Sequence, residues 1–110
     1  MSKTTRYTGL TMMGMASWYG SDFHGGPTAS GERYDMYSMT AAHPSLPFNT
    51  LVKVTNLVNG SECVVRINNR GPYFRDRIID LSKSAANQLD MIGNGIANVH
   101  MQVLGMVSGE

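Results

Sequence analysis

Eight carboxylates and three histidines are the side chains in this 110-residue sequence that could move a proton near neutral pH. Asp80 stands apart among them, because Ile78-Ile79 precede it and Leu81 follows it. A carboxyl group partly withdrawn from water is pushed up in pKa and suits a general acid. The competing reading is a carboxylate near the start of a helix just downstream, where the helix dipole lowers the pKa instead. Spacing alone leaves both open. Glu32 and Asp35 close a long loop, where carboxylates are usually solvated. His43 lies between Ala41-Ala42 and Pro44, a stiff setting that could hold an imidazole in place. His24 is a lone loop histidine, and His100 falls on a polar strand face. Trp18 and Tyr19 could stack on the apolar face of a sugar ring or fill the core, and Trp18 suits the core better.

Several chemistries are excluded. There is no Gly-rich phosphate loop with a lysine, no G-x-S-x-G turn and no H-E-x-x-H helix. Cys63 is the one cysteine, so neither an intramolecular disulfide nor a cysteine zinc site can form. No metal and no cofactor are expected. Nine Lys+Arg face eight Asp+Glu, for a formal net charge of +1. That balance argues against nucleic acid, whose binders present a basic stripe, and against polybasic membrane attachment. No apolar run approaches the ~20 residues of a membrane span. Met1–Gly14 lacks the continuous apolar stretch of a secretory leader. A monomer is expected.

These groups need elements to position them. Residues 1–12 read as a poorly ordered start, 13–105 as one barrel domain and 106–110 as a tail that frays after Leu104. Met13–Trp18 suits a first strand. Gly20–Glu32 is loop, punctuated by Gly20, Gly25, Gly26, Pro27 and Gly31. Thr40–Thr50 reads as another irregular connection, because Pro44 and Pro47 interrupt it. Leu51–Leu57 and Glu62–Asn68 alternate apolar and polar residues around Asn59-Gly60, which predicts a hairpin with a type I′ turn. Cys63 lies on the apolar face of that hairpin, as a small buried hydrophobe. Ile78-Ile79 suits a short buried strand. Ser82 suits the N-cap of a helix over Lys83–Leu89 with Ala85, Ala86 and Leu89 inward. Ala97, Val99, Met101 and Val103 alternate with polar residues in a last, half-buried strand. The nine methionines, Met12, Met13 and Met15 among them, read as adaptable core filling. The sum is a small, mainly β barrel.

Ordered blocks along most of the chain resemble one family. They are Ala16-Ser17-Trp18-Tyr19-Gly20, Phe23-His24-Gly25, Thr28-Ala29-Ser30-Gly31-Glu32 and Tyr34-Asp35-Met36. Thr40-Ala41-Ala42-His43, Leu46-Pro47-Phe48, Val54-Thr55-Asn56-Leu57 and Asn59-Gly60 follow. Val65-Arg66-Ile67-Asn68, Arg70-Gly71-Pro72-Tyr73 and Arg77-Ile78-Ile79-Asp80-Leu81-Ser82 complete them. The pattern, over roughly residues 14–104, resembles the RlpA (rare lipoprotein A) family. The resemblance implies a six-stranded double-psi β-barrel of expansin type, with one or two short helices. It implies peptidoglycan glycan strands as partner and a bacterial cell-envelope location, with the longer precursor a possible periplasmic or outer-membrane lipoprotein. No lipobox cysteine or SPOR domain is expected within these residues.

Characterised members of that family are lytic transglycosylases. They cut between N-acetylmuramic acid and N-acetylglucosamine of strands stripped of stem peptides and leave 1,6-anhydro ends. The resemblance carries site positions onto Glu32, His43, residue 69 and Asp80, with Asp80, Glu32 and His43 as the catalytic set. Asn69, Trp18, Tyr19, Arg70 and Tyr34 are the expected substrate contacts. The family usually reads Asn-Asp-Arg-Gly-Pro where this chain has Asn68-Asn69-Arg70-Gly71-Pro72. An amide cannot exchange a proton at working pH, and loss of a general acid–base costs roughly 10²–10⁴ in rate. Three readings fit: a site silenced by engineering, a relative that binds glycan without cutting, or an enzyme in which Asp80 suffices.

Overall fold

Alternation builds the barrel wall. Val52 and Val54, then Cys63, Val65 and Ile67, then Ala97, Val99, Met101 and Val103 all point into one core. The polar residues between them face out, the pattern of a sheet with one buried face. The computed structural model describes residues 9–74 and 76–107. The strands are β1 (Thr11–Trp18), β2 (Thr40–Ala42), β3 (Thr50–Asn56), β4 (Glu62–Asn69), β5 (Arg77–Leu81) and β6 (Ile96–Met106). A helix α1 (Lys83–Gln88) lies between β5 and β6, and a 3-10 turn at Ser21–Phe23 follows β1. The strands close in the order β1-β5-β2-β4-β3-β6, so the described barrel has no free edge. β1 runs parallel to β5 and β2 parallel to β4, while the remaining pairings are antiparallel. This is the six-stranded, mainly β architecture that the sequence led us to expect.

Four details differ from the sequence expectation. The Thr40–Thr50 connection begins with a strand: Thr40, Ala41 and Ala42 pair with β4 on one side and β5 on the other. All three are buried, so they show no alternation, and the prolines act only after the strand has ended. The turn between β3 and β4 spans Leu57–Gly60 and is not type I′, since only Gly60 has a positive φ, of 80°. Asn59 keeps an ordinary φ because its side chain is used elsewhere. Its Nδ2 donates to the Leu89 carbonyl at 3.1 Å and its Oδ1 accepts from the Ser61 amide at 2.8 Å. Asn56 Nδ2 also donates to the Leu89 carbonyl, at 2.9 Å, so the turn is tied to the end of α1. At the C-terminal end, pairing continues past Leu104: Gly105 and Met106 pair with Leu51 and Thr50, and the Val107 amide reaches the Asn49 carbonyl at 2.8 Å. At the N-terminal end, β1 begins at Thr11 rather than Met13. Residues 1–8 and 108–110, where most of the expected disordered start and tail fall, lie outside the described residues.

Ser82 joins α1 to the barrel. Its hydroxyl accepts from the Ala85 amide at 3.2 Å as the helix N-cap and donates to the Ser38 carbonyl at 2.6 Å. The residue is fully buried, so no water replaces either bond. Ser82→Ala should therefore destabilise the fold by about 1–3 kcal/mol in a urea titration with an unchanged slope. A loss below about 0.5 kcal/mol, typical of a surface change, would contradict this account of the cap.

Candidate active site

Backbone register sets the site. Asp80 in β5 pairs with Ser17 in β1 on one side and with Ala42 in β2 on the other. Ala42 pairs in turn with Asn69 in β4. The result is a row across four strands: Ser17, Asp80, Ala42, Asn69. Strand spacing places the Asp80 and Asn69 backbones about 9–10 Å apart. Ala42 is the residue paired between them. Register shifts at Met15/Ala16 and Ala41/Ala42 lie beside the row. Irregularities of this kind re-aim side chains next to active sites.

Asp80 is half-buried, and its Oδ1 accepts a hydrogen bond from the Ser17 hydroxyl. Ser82, two residues on, supplies the cap of α1, so Asp80 is not spent on that task. Asn69 is fixed by its oxygen, since Oδ1 accepts from the Ala29 and Arg70 amides, each at 2.9 Å. Its Nδ2 is left as the free end, beside the Tyr19 hydroxyl. That hydroxyl is buried and makes no hydrogen bond. Burial first, then the neighbouring Tyr34 and the charge of Asp80, push its pKa well above the ordinary tyrosine value, against a smaller lowering by Asn69. The Tyr34 ring packs on Tyr19 at 4.4 Å. Its hydroxyl donates to the Tyr19 carbonyl at 2.8 Å and accepts from the Lys83 amide at 3.0 Å.

Glu32 is held in an ionised cradle. Arg66 donates to both of its oxygens, at 2.9 and 3.1 Å, and Asn68 Nδ2 donates at 2.9 Å. These bonds, those from Arg66 foremost, hold its carboxyl below the usual range. His43 is only 6% exposed. Its Nδ1 accepts from the Ser45 and Leu46 amides at 3.1 and 3.0 Å, which leaves the ring hydrogen on Nε2. Burial, then the charge of Arg70, lowers its pKa to about 4, so the ring is neutral at physiological pH. Arg70 Nη1 donates to the carbonyls of His43 and Leu46, and its guanidinium lies 4.0 Å over the Phe48 ring. Arg70 thus braces the segment that carries His43. Trp18 is half-buried against the core. Cys63 is buried too, which pushes its thiol up to about 12.

Ser17, Tyr19, Asn69 and Asp80 therefore meet at one place. Glu32 adjoins them through Asn68, the neighbour of Asn69, and His43 through Ala42. Sequence reasoning overlooked Ser17, whose type and position carry no signal until β1 is laid beside β5. It also overlooked a cavity of about 380 Å³ lined by Tyr19, Asp22, Phe23, His24, Gly26, Pro27, Tyr34 and Asn69. The folding of the loop after β1 creates that cavity, and only the aromatic content of the loop hinted at it. Among the described residues, no three His, Cys, Asp or Glu side chains cluster as a metal ion would require.

Comparison with known proteins gives concordant matches. A family model described as "Lytic transglycolase" matches residues 11–101. The chain is 54% identical over 100 residues to the endolytic peptidoglycan transglycosylase RlpA of Campylobacter jejuni, covering 91% of this chain and 36% of that protein. It is 55% identical over 96 residues to the Vibrio cholerae protein of the same name, covering 87% of this chain and 36% of that one. The chain spans about a third of the length of the curated relatives it matches. Among solved structures, a Streptomyces papain inhibitor superposes with a TM-score of 0.71 at 22% identity, covering 88% of this chain and 96% of that one. At that identity the likeness is one of fold.

The Glu32 cradle has a measurable pH signature. Its pKa is lowered in the folded chain, so its stabilisation is present above the ordinary value of 4.5 and is lost as pH falls below it. Glu32→Gln should cost at most about 1 kcal/mol at neutral pH, since the pair is partly exposed. On acidification, the melting temperature of the parent should fall more steeply than that of the variant. Parallel Tm–pH curves would show that the cradle contributes nothing to the fold.

Proposed function

The chain belongs to the RlpA family of double-psi β-barrels, and on that premise we propose that it is an endolytic lytic transglycosylase of peptidoglycan with Asp80 as acid and base. The observation that carries this is the state of the two candidate carboxylates. Glu32 is saturated by Arg66 and Asn68, whereas Asp80 receives one hydroxyl bond and remains half-buried, with its charge acting on Tyr19 of the cavity wall. Asp80, protonated, gives its hydrogen to the glycosidic oxygen as the bond from C1 of N-acetylmuramic acid breaks. The 6-hydroxyl of the same sugar then attacks C1, and its proton passes to the Asp80 carboxylate. The products are a 1,6-anhydro end and a free 4-hydroxyl on N-acetylglucosamine, with no water consumed. Hydrolytic glycosidases need a second carboxyl group to activate water or to form a covalent intermediate. Here the nucleophile is carried by the substrate, at high effective molarity. Ser17 orients Asp80, while Glu32, Tyr19 and the neutral His43 position sugar. The setting is the bacterial cell envelope.

Asn69 sets the level of activity. Its Oδ1 already occupies an acceptor's place on two backbone amides. An aspartate could keep that contact with one oxygen and present the other where Nδ2 now lies. A second reading, a glycan-binding module of expansin type without turnover, draws on the same amide, which has no proton to exchange.

The test uses glycan strands stripped of stem peptides, with anhydro-ended fragments read by mass spectrometry. The protein as written should release them, and Asp80→Ala should lower the rate at least about 10²-fold. Asn69→Asp should raise it by about tenfold or more. Silence from both the parent and Asn69→Asp, with strands still retained in a pull-down, would replace the enzyme by the binding module.

A further inference from the structure

The loop after β1 folds beside Tyr19 and Tyr34 and forms one wall of the half-open cavity of about 380 Å³. That volume is at the small end for ligand sites and suits one sugar ring rather than an oligosaccharide. Phe23 is 61% exposed, yet it is not loose. Its amide reaches the Gly20 carbonyl at 3.2 Å, its carbonyl accepts from the Gly26 amide at 2.9 Å, and its ring meets Tyr19 edge-on at 6.3 Å. A fixed, exposed aromatic ring is a platform for the C–H face of a pyranose. Two polar groups sit on either side of it in the chain, the Asp22 carboxylate and the His24 imidazole. His24 Nδ1 accepts from the Met36 amide at 3.1 Å, so Nε2 is the nitrogen left to donate. At the inner end, Asn69 presents an amide.

Charge decides which sugar fits. No lysine or arginine lines the cavity, and Asp22 is its one carboxylate. Arg33, from the same loop, spends a guanidinium hydrogen on the Gly25 carbonyl at 2.8 Å and is not part of the wall. A stripped glycan strand alternates a neutral sugar with one that bears a lactyl carboxylate. The carboxylate of Asp22 repels the second and can accept the acetamido N–H of the first.

We propose that this cavity is the subsite for N-acetylglucosamine on the leaving side of the cleaved bond, and that Asp22 and Phe23 are its specificity residues. The inference rests on the proposed reaction for its orientation. Asn69 belongs both to the cavity and to the Asp80 row, and the charge of Asp80 reaches Tyr19 of the cavity wall, so the ring in the cavity is one of the two flanking the bond. Of those two, the neutral ring is the leaving one. Asp22 thereby fixes the direction in which a strand crosses the barrel.

Amide chemical shifts of the ¹⁵N-labelled chain at pH 8 test this without any cleavage. The probes are the methyl β-glycoside of N-acetylglucosamine and the corresponding glycoside of N-acetylmuramic acid. The neutral sugar should move the amides of Tyr19 and of residues 22–26. The anionic sugar should bind at least about threefold more weakly, the size of one like-charge contact near a surface. Asp22→Asn should bring the two affinities together, and Phe23→Ala should remove the response to both. Both side chains are exposed, so the fold should survive these changes, and an unchanged amide spectrum elsewhere checks that it does. Shifts confined to other parts of the barrel, no shifts, or equal affinities in the parent would overturn the subsite. An inactive enzyme that still shows this selectivity would remove the reaction and leave the subsite standing. Cleavage without it would do the reverse.

Discussion

β2 is three residues long and is held from both sides, and the barrel closes through it. A strand so short supplies little of its own stability. Its backbone groups are satisfied because β4 and β5 supply partners on opposite edges, and its neighbours extend the pattern. The Arg66 amide reaches the Met39 carbonyl at 3.0 Å, and the Ser82 amide reaches the Thr40 carbonyl at 2.9 Å. Ala41 and Ala42 are small enough for the core to close over them, and Ala42 is the residue paired between Asp80 and Asn69. The geometry of the row is thus a by-product of closure: whatever shifts β2 shifts Ser17–Asp80–Ala42–Asn69.

The polar side chains around that row divide into holders and free ends. Arg70 braces two carbonyls, His43 receives two amides, Tyr34 bridges a carbonyl and an amide, and Glu32 is filled by a guanidinium and an amide. The first three fix irregular backbone that no strand ladder could satisfy, and a buried unsatisfied group would cost about 1–3 kcal/mol. Asp80 is free by contrast. A carboxylate neutralised by arginine is a poor acid, and one held by a single hydroxyl can exchange a proton. The preorganisation of the holders leaves Asp80 with one hydroxyl partner and, among the described residues, no cation.

The strands with a single buried face were legible in the sequence. β3, β4 and β6 alternate because water lies on one side of them, and Ser82 followed by Ala85, Ala86 and Leu89 announced α1. β2 was not legible, because burial on all sides erases alternation and three residues are too few to show a period. The turn at Asn59-Gly60 was misread because Asn59 answers to Leu89, 30 residues away, as well as to its own turn. In the site, Asp80 could be singled out from the apolar residues beside it. The state of Glu32 could not, since Arg66 lies 34 residues away in the chain. Phe23 and Asp22 gained meaning only when the loop had folded beside Tyr34, an event of tertiary structure with no local period to betray it.

The buried Tyr19 hydroxyl, without a partner, bears on what position 69 does. The oxygen of Asn69 is committed to Ala29 and Arg70, so the atom it turns toward Tyr19 is an amide nitrogen, which can only donate and offers no acceptor for the hydroxyl hydrogen. A carboxylate there would keep the backbone contact and accept the tyrosine hydrogen with its second oxygen. It would also add a negative charge across Ala42 from Asp80. With the two backbones about 9–10 Å apart, that charge acts on its neighbour only weakly, in the direction of the protonated form that a general acid requires. The amide gives up both effects, while it preserves the shape of the row and the wall of the cavity. Residue 69 thus divides its work: its oxygen holds the backbone of Ala29 and Arg70, and the other end of the same side chain is what faces Tyr19 and the cavity.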